Sequence, residues 1–156
     1  MPHLALDVTT RYPLDVKRDL ALRMSHLYAE LMQTSPDLVA VGIRELNEGG
    51  VWFGGKDAPV PGAVLTCAIR RGRPPEQRAR LANALVTMCS EALGLDPTRM
   101  VVEFSYHAGD DIFRKMMIDG VLRGALGRDW SPEEAQTPLL ETMRKEASAG
   151  TLTTYS

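Results

Sequence analysis

Hydrophobic positions early in the chain change their spacing twice, and each change predicts a different element. Residues 2 to 8 (PHLALDV) alternate between apolar and other side chains, which is the period of a half-buried strand. From Val16 to Leu31 the apolar positions step by three or four, as on the core face of an amphipathic helix that ends near Gln33. Residues 38 to 46 return to a strand pattern, and the glycine-rich NEGGVWFGG after them is typical of a hairpin or loop. This part of the chain therefore predicts a β-α-β unit.

The same order of elements recurs farther along. A strand is predicted at 63 to 69, a helix at 76 to 93 and a strand at 100 to 106, at an offset of about 61 residues from the first unit, which places Arg11 one residue away from Arg73. A helical crossover joins parallel strands in each unit. We therefore predict an α+β fold, in which two tandem β-α-β repeats form one mixed sheet with two helices on one face.

Beyond residue 110 the repeat ends and a helical tail is predicted. One helical stretch covers about 111 to 126, and Ser131 with Glu134 has the spacing of a capping box for a last helix to about Ala147. The predicted division is a duplicated domain at 1–110, with repeats at 2–61 and 62–110, and a helical C-terminal extension at 111–156.

The face of the sheet away from the helices is also expected to be buried. We place Ala5, Val39, Val41, Val64 and Val102 on that face, and these side chains are too apolar for water. Association of subunits is the natural way to cover them.

Composition narrows the class of protein. A net charge of −2 and 24% charged residues give no positive excess for nucleic acid. No apolar run is long enough for a membrane span and no signal peptide is recognisable, so a cytoplasmic location is expected. Cys67 and Cys89 lack the paired spacing of a zinc or redox site and are expected to be buried free thiols; no metal is expected.

Proline directly after the initiator methionine is the first candidate for chemistry. Removal of Met1 would expose a secondary amine at the start of a strand. Free α-amino groups titrate near neutral pH, and burial or neighbouring positive charges lower the pKa of an amine. Pro2 could therefore stay neutral, accept a proton and return it to another atom.

Arginines form the second candidate feature. Arg70, Arg71 and Arg73 lie between the third strand and a helix that opens with two prolines. Guanidinium groups bind carboxylates through paired hydrogen bonds, and a helix N-terminus adds unpaired N–H groups. The alternative is a solvated charged turn.

The opening MPHLALDV, the order of elements, the segment VAVGIRELNEGGVWFGG and the turn IRRGRPPEQR together resemble the tautomerase superfamily over residues 2 to 110. Its short members are 4-oxalocrotonate tautomerase-like. Chains with two fused units are similar to macrophage migration inhibitory factor (MIF), 5-carboxymethyl-2-hydroxymuconate isomerase, malonate semialdehyde decarboxylase and cis-3-chloroacrylic acid dehalogenase. The resemblance implies a homotrimer, a small anionic substrate, no cofactor and a catalytic amino-terminal proline at Pro2.

The resemblance assigns the substrate-binding arginines in two ways. The dehalogenase pattern matches Arg70 and Arg73, and the decarboxylase pattern matches Arg71 and Arg73. The dehalogenase's water-activating glutamate falls on Arg114 and its tyrosine partner on Glu103, so its hydration chemistry is not carried over.

Several other positions stay open. Asp37 lies near the decarboxylase's catalytic aspartate or serves a turn; Trp52 is a pocket wall or a core residue. Tyr28 and His26 lie near the dehalogenase's histidine or on the helix surface. Glu103, Tyr106 and His107 could reach the proline of a neighbouring subunit.

The expected function is a cofactor-independent tautomerase (isomerase) of a 2-hydroxy-acrylate or 2-oxo acid. One alternative is a proline-dependent decarboxylase or a hydratase/dehalogenase of a three-carbon acid. Another is a non-catalytic trimeric binding protein of the same fold.

Overall fold

The structure is a computed structural model that describes residues 2–55 and 57–107 and, near the C-terminus, residues 141, 142, 145, 146, 148 and 149. Its elements confirm the predicted repeats. They are β1 (His3–Val8), α1 (Leu14–Met32), β2 (Ala40–Glu45), β3 (Ala63–Arg70), α2 (Pro75–Leu93) and β4 (Met100–His107), with short 3₁₀ helices at Pro36–Leu38 and Pro97–Arg99.

The four strands form one mixed sheet in the order β2-β1-β3-β4. β1 is parallel to β2, β3 is parallel to β4, and the two repeats meet where β1 runs antiparallel to β3. As a result β1 and β2 begin where β3 and β4 end. We call this the Pro2 end of the sheet, and the other the opposite end.

The core lies between the sheet and the two helices, which pack against each other on one face. Alternate residues of the central strands point into it, as the period-two pattern predicts. The side chains with no exposed surface include Leu4, Leu6, Leu20, Met24, Leu65, Cys67, Ile69, Leu81, Leu85 and Cys89.

The open face of the sheet differs in part from the expectation. Val39, Val41 and Val102 are packed against the core beneath the helices, so their placement on the open face was wrong. The alternation explains the error, because Val41 and Val102 lie beside core residues of β1 and β3. Ala5 and Val64 do lie on the open face and are half-buried. Within the described part of the chain, no helix covers that face.

The two repeats superpose in sequence without a gap. Helix α2 begins and ends 61 positions after α1, and each helix is closed by a residue with positive φ, Gln33 in the first repeat and Gly94 in the second. The 3₁₀ helices keep the same offset. Tyr12, and not Arg11, is therefore the counterpart of Arg73.

Most of the predicted C-terminal extension lies outside the described residues, including the helical stretch at 111–126 and the capping box. The five described residues from 141 to 148 are helical. The Glu146 carboxylate lies 3.6 Å from Nε of Arg80 on α2. The boundary at residue 110 stays a prediction. In the parts of the chain that are described, no helix is both long and apolar enough to cross a membrane.

Candidate active site

Pro2 is buried where the first strand begins. Its carbonyl oxygen accepts a hydrogen bond from the Ala40 N–H at 3.1 Å, which fixes it beside the start of β2. The other neighbour of β1 is the antiparallel strand β3. His3 lies opposite Ala68 on β3, and Pro2, the residue before His3, therefore lies opposite Ile69. Paired strands lie about 4.8 Å apart. Ile69 directly precedes Arg70, so the candidate amine lies beside β3 at the residue before the first arginine of the turn.

The arginine turn is held in place by its backbone. Arg71 N–H donates to the carbonyl oxygen of His107 at 2.9 Å, which ties the turn to the end of β4. Gly72 follows with φ of +96°, a left-handed conformation that a residue without a Cβ adopts at little cost. Pro74 and Pro75 then begin α2, since proline suits the first helical position.

The three arginines of this turn have different surroundings. Arg70 is half-buried and, by the strand alternation, extends from the open face of the sheet. Arg71 is exposed. Arg73 is only 9% exposed, and its Nη1 donates to the carbonyl oxygen of Met32, the last residue of α1. The turn therefore contains two arginines that solutes can approach and one that is built into the protein.

Tyr28 lies close enough to Arg73 and Arg70 to feel their charges, although a helix-surface position was expected for it. Its side chain is 2% exposed. Burial raises the pKa of this phenol, and the positive charges of Arg73 and Arg70 oppose the shift. Tyr28 follows Met24 by four residues and precedes Leu31 by three, so the helical period could have placed it on the core face.

The opposite end of the sheet is a natural comparison, since the 61-residue offset gives each position a counterpart. Thr9 and Thr10 occupy the places of Arg70 and Arg71. Farther along, Lys17 Nζ lies 2.7 Å from the carboxylate of Glu45. The pair in the second repeat is Arg78 with Tyr106, where Nη1 donates to the phenol oxygen and the guanidinium carbon lies 5.3 Å from the ring centroid.

Because corresponding positions of the two repeats hold different residue types, the two ends differ in charge. At the opposite end a carboxylate neutralises the lysine, whereas at the Pro2 end the hydroxyl of Tyr106 takes the place of that carboxylate. Arginines also replace the two threonines. The turn at the Pro2 end therefore carries more positive charge than the turn at the opposite end, where Arg11 is the one arginine, and this excess favours an anion at the Pro2 end.

The remaining predicted residues are dispersed. Glu103 is exposed in the middle of β4, beside Thr66, and points away from the helices. Asp37 is exposed in the first 3₁₀ helix, near the start of β2, where its N–H donates to Ser35 Oγ at 3.4 Å.

Trp52 is 54% exposed and donates to the Gly49 carbonyl at 2.7 Å, so a core role for it is wrong. The exposed His26 lies on α1, and His107 ends β4 at the Pro2 end.

Two residues that sequence reasoning did not single out belong to this end. Gln77 has no exposed surface, and its Nε2 donates to the Leu31 carbonyl at 2.9 Å; no described residue hydrogen-bonds its Oε1. Arg78 pairs with Tyr106 as described above. Comparing the two repeats position by position at the predicted offset of 61 residues would have drawn attention to Arg78 through its counterpart, Lys17.

The other features that could indicate a functional site are less well suited to one. Cys67 and Cys89 are buried free thiols, as predicted, and burial raises the pKa of both to about 12, so neither is a thiolate at neutral pH. A cavity of about 240 Å³ lies at the opposite end, beside Thr9, Thr10 and Pro61. The described residues contain no group of three His, Cys, Asp or Glu that could hold a metal ion.

Comparison of the whole fold with solved structures defines its class. A member of the cis-3-chloroacrylic acid dehalogenase family matches with a TM-score of 0.69 and 21% identity, covering 92% of this chain and 99% of its own. Pt0534, solved after inactivation by 2-oxo-3-pentynoate, matches with a TM-score of 0.66 and 21% identity, covering 72% and 91%. R7 fused 4-OT, an asymmetric trimer, matches with a TM-score of 0.63 and 17% identity, covering 72% and 92%.

These matches establish a tautomerase/MIF-like fold with two β-α-β units in one chain. No protein-family model matches the sequence, and no curated protein matches it either.

Proposed function

We propose that the chain is a cofactor-independent tautomerase of a small anionic 2-hydroxy-acrylate or 2-oxo acid, with Pro2 as its acid/base. The observation that carries this proposal is the position of Pro2 at the end of the sheet that holds the arginine turn, whereas the lysine at the corresponding place of the other end is paired with Glu45. The residue at the corresponding place in the second repeat, Ala63, has no amine because it lies inside the chain.

In this proposal the amine of Pro2 moves one proton. Loss of Met1 leaves a secondary amine, whose pKa is expected below the usual value of about 8 because the residue is buried at the end of the sheet that holds the arginine turn. The neutral nitrogen takes the proton from the enol hydroxyl of the substrate. The resulting ammonium then delivers a proton to carbon 3, while the C–O bond becomes a carbonyl. Nothing is oxidised or reduced, and the product is an isomer of the substrate.

The arginine turn supplies the electrostatic stabilisation of the reaction. The accessible guanidinium groups of Arg70 and Arg71 attract the carboxylate and stabilise the negative charge that develops on the enolate oxygen. We expect this stabilisation to be the larger share of the acceleration, with proton transfer adding about 10²- to 10⁴-fold.

The proposed assembly is a homotrimer. The half-buried, small side chains on the open face of the sheet and the trimeric state of R7 fused 4-OT support it. In such an assembly Glu103, exposed on that face, is a candidate for reaching a neighbouring subunit's Pro2. Trp52, exposed on its loop, is a further candidate for a pocket wall.

The proposal is tested on purified protein in three steps. Mass spectrometry of the N-terminus first establishes whether Met1 is absent. The rate of ketonisation of phenylenolpyruvate is then followed for the wild type and Pro2→Ala. Finally, the protein is incubated with 2-oxo-3-pentynoate and digested, and covalent attachment to the peptide that begins with Pro2 is expected. Retained Met1, or turnover unaffected by Pro2→Ala, would contradict the proposal.

A second candidate function is favoured by the match that covers 92% of the chain, which is to a dehalogenase family member. A Pro2-dependent hydratase/dehalogenase would release halide from 3-haloacrylates, although Arg114 and Glu103 stand where the dehalogenase has its glutamate and its tyrosine. A Pro2-dependent decarboxylase would release carbon dioxide from malonate semialdehyde. Assays of both substrates beside phenylenolpyruvate separate these activities. Absence of every turnover in processed protein would indicate a non-catalytic trimeric binding protein.

A further inference from the structure

The last carbonyl groups of an α-helix have no partner within the helix and need an outside donor when they are buried. In this fold each repeat supplies that donor to the other. Tyr12, in the turn before α1, donates its hydroxyl to the carbonyl of Leu93, the last residue of α2, at 3.1 Å. Arg73, in the turn before α2, donates Nη1 to the carbonyl of Met32, the last residue of α1.

The two contacts are the same contact made twice. Arg73 lies 61 positions after Tyr12, and Leu93 lies 61 positions after Met32. At the opposite end an uncharged phenol makes this bond, away from Pro2. The bond therefore belongs to the duplicated fold, and a positive charge is not needed to make it.

Further contacts connect this bond to the candidate site. Gln77 reinforces it by donating to the neighbouring carbonyl of Leu31 at 2.9 Å. The chain leaving α1 continues to Ala40, whose N–H holds the Pro2 carbonyl at 3.1 Å. The turn itself is tied to β4 through Arg71 N–H. Arg73 thus joins the turn that presents the arginines to the segment that fixes Pro2.

We infer that Arg73 is a positioning residue, which holds the arginine turn against the end of α1 and leaves the substrate carboxylate to Arg70 and Arg71. The kinetic part of this inference rests on the proposed function, whereas the structural part does not.

The test uses two substitutions at this position in the full chain. Arg73→Met keeps a long side chain but removes every donor, and Arg73→Tyr installs the residue that makes the same bond in the first repeat. We expect Arg73→Met to lower Tm by several degrees, to speed amide exchange in the peptide covering 70–78, and to raise KM for phenylenolpyruvate several-fold. Arg73→Tyr is expected to restore all three towards the wild type.

A double-mutant cycle with Arg71→Ala and with Arg70→Ala distinguishes positioning from direct binding. If Arg73 acts through these residues, Arg73→Met raises KM in the wild type and adds less in a background that lacks the arginine it positions. An equal increase in both backgrounds, or a folded Arg73→Tyr whose KM rises tenfold or more, would overturn the inference. So would a fall in Tm with unchanged exchange in 70–78 and unchanged KM.

Two further outcomes are also decisive. If Arg73→Met does not fold, a folded Arg73→Tyr with a wild-type KM supports the inference, and failure of both variants to fold overturns the equivalence with Tyr12. If the wild type has no turnover, the proposed function has failed. Amide exchange and Tm then decide by themselves whether Arg73 holds the turn.

Discussion

The two ends of the sheet are built from the same backbone and differ in the chemistry of their side chains. At the opposite end the turn at 9–13 reads TTRYP, and at the Pro2 end the turn at 70–74 reads RRGRP. Both turns precede a helix of the same length, and both send a side chain to the end of the other helix. Contacts found at both ends maintain the fold, so residues that repeat no contact of the other end are the better candidates for function.

This criterion divides the arginines of the turn into two groups. Arg73 repeats the contact of its counterpart, Tyr12, whereas Arg70 and Arg71 replace threonines and add charge. Tyr106 in place of Glu45 removes a negative charge from the same end. The functional asymmetry is therefore carried by a few substitutions on a duplicated frame, together with the amine that only the first repeat can provide.

Removing the proposed base should give the largest effect. Pro2→Ala replaces the secondary amine by a primary one and removes the ring that fixes its direction. We expect kcat for phenylenolpyruvate to fall by about 10² or more, the lower end of the range for proton transfer catalysis. Steady-state kinetics measures this effect. The control is Ala63→Ser at the corresponding place of the second repeat, where kcat should not change.

Removing one of the two accessible arginines should weaken substrate binding and also slow turnover, because the two share the electrostatic stabilisation. Arg70→Ala or Arg71→Ala deletes a charge-assisted hydrogen bond worth about 1.5–3 kcal/mol, so kcat/KM should fall by about 10- to 100-fold. Thr10→Ala, at the exposed counterpart of Arg71, is the matched control and should leave the kinetics unchanged. If the threonine and arginine variants behaved alike, the contrast between the two ends would have no functional meaning.

Much of this architecture follows from sequence, because period-two and period-3.6 patterns report directly which face is buried. The strands, both helices and the repeat were predictable for that reason. The faces of Val39, Val41 and Val102 were not, since apolar residues on both sides of a strand leave its orientation undetermined.

The site was less predictable than the fold. Sequence could point to Pro2 and to a cluster of arginines, but it treated the three arginines as one group. The difference between Arg73 and the other two arginines depends on the path of α1, because the last carbonyl group of that helix accepts the hydrogen bond from Arg73. A contact between residues so far apart in the sequence leaves no periodic pattern. Burial of Tyr28 beside that group was readable from the helical period.

Tyr12→Phe should affect stability and not catalysis. The variant removes the donor to the Leu93 carbonyl and keeps the ring. Burial raises the pKa of the Tyr12 phenol, so the hydroxyl is a donor throughout the neutral range. We expect the free energy of unfolding to fall by about 1 kcal/mol, the usual contribution of one hydrogen bond. Urea denaturation measures the loss, and a change in KM with this variant would show that the opposite end takes part in binding.

The smallest predicted effect concerns the ion pair at the opposite end. Hydrogen bonds from Lys17 and from the Tyr12 N–H lower the pKa of Glu45 below its ordinary value of 4.5. A carboxyl whose pKa is depressed in the folded protein stabilises it above that ordinary value, and the contribution disappears as pH falls through the folded-state pKa. Glu45→Gln should therefore lower Tm slightly at pH 7 because the pair is partly exposed, and the difference from the wild type should vanish in acid.

The corresponding variant at the Pro2 end, Tyr106→Phe, removes a hydrogen bond to Arg78 that involves no carboxylate. Its Tm difference from the wild type should therefore stay constant between pH 4 and pH 7, which thermal unfolding of both variants across this range would measure. A pH-independent difference for Glu45→Gln would mean that the carboxylate is not held by Lys17 in solution. The opposite end would then be less neutralised than the geometry indicates, and the charge contrast between the two ends would rest on Arg70 and Arg71 alone.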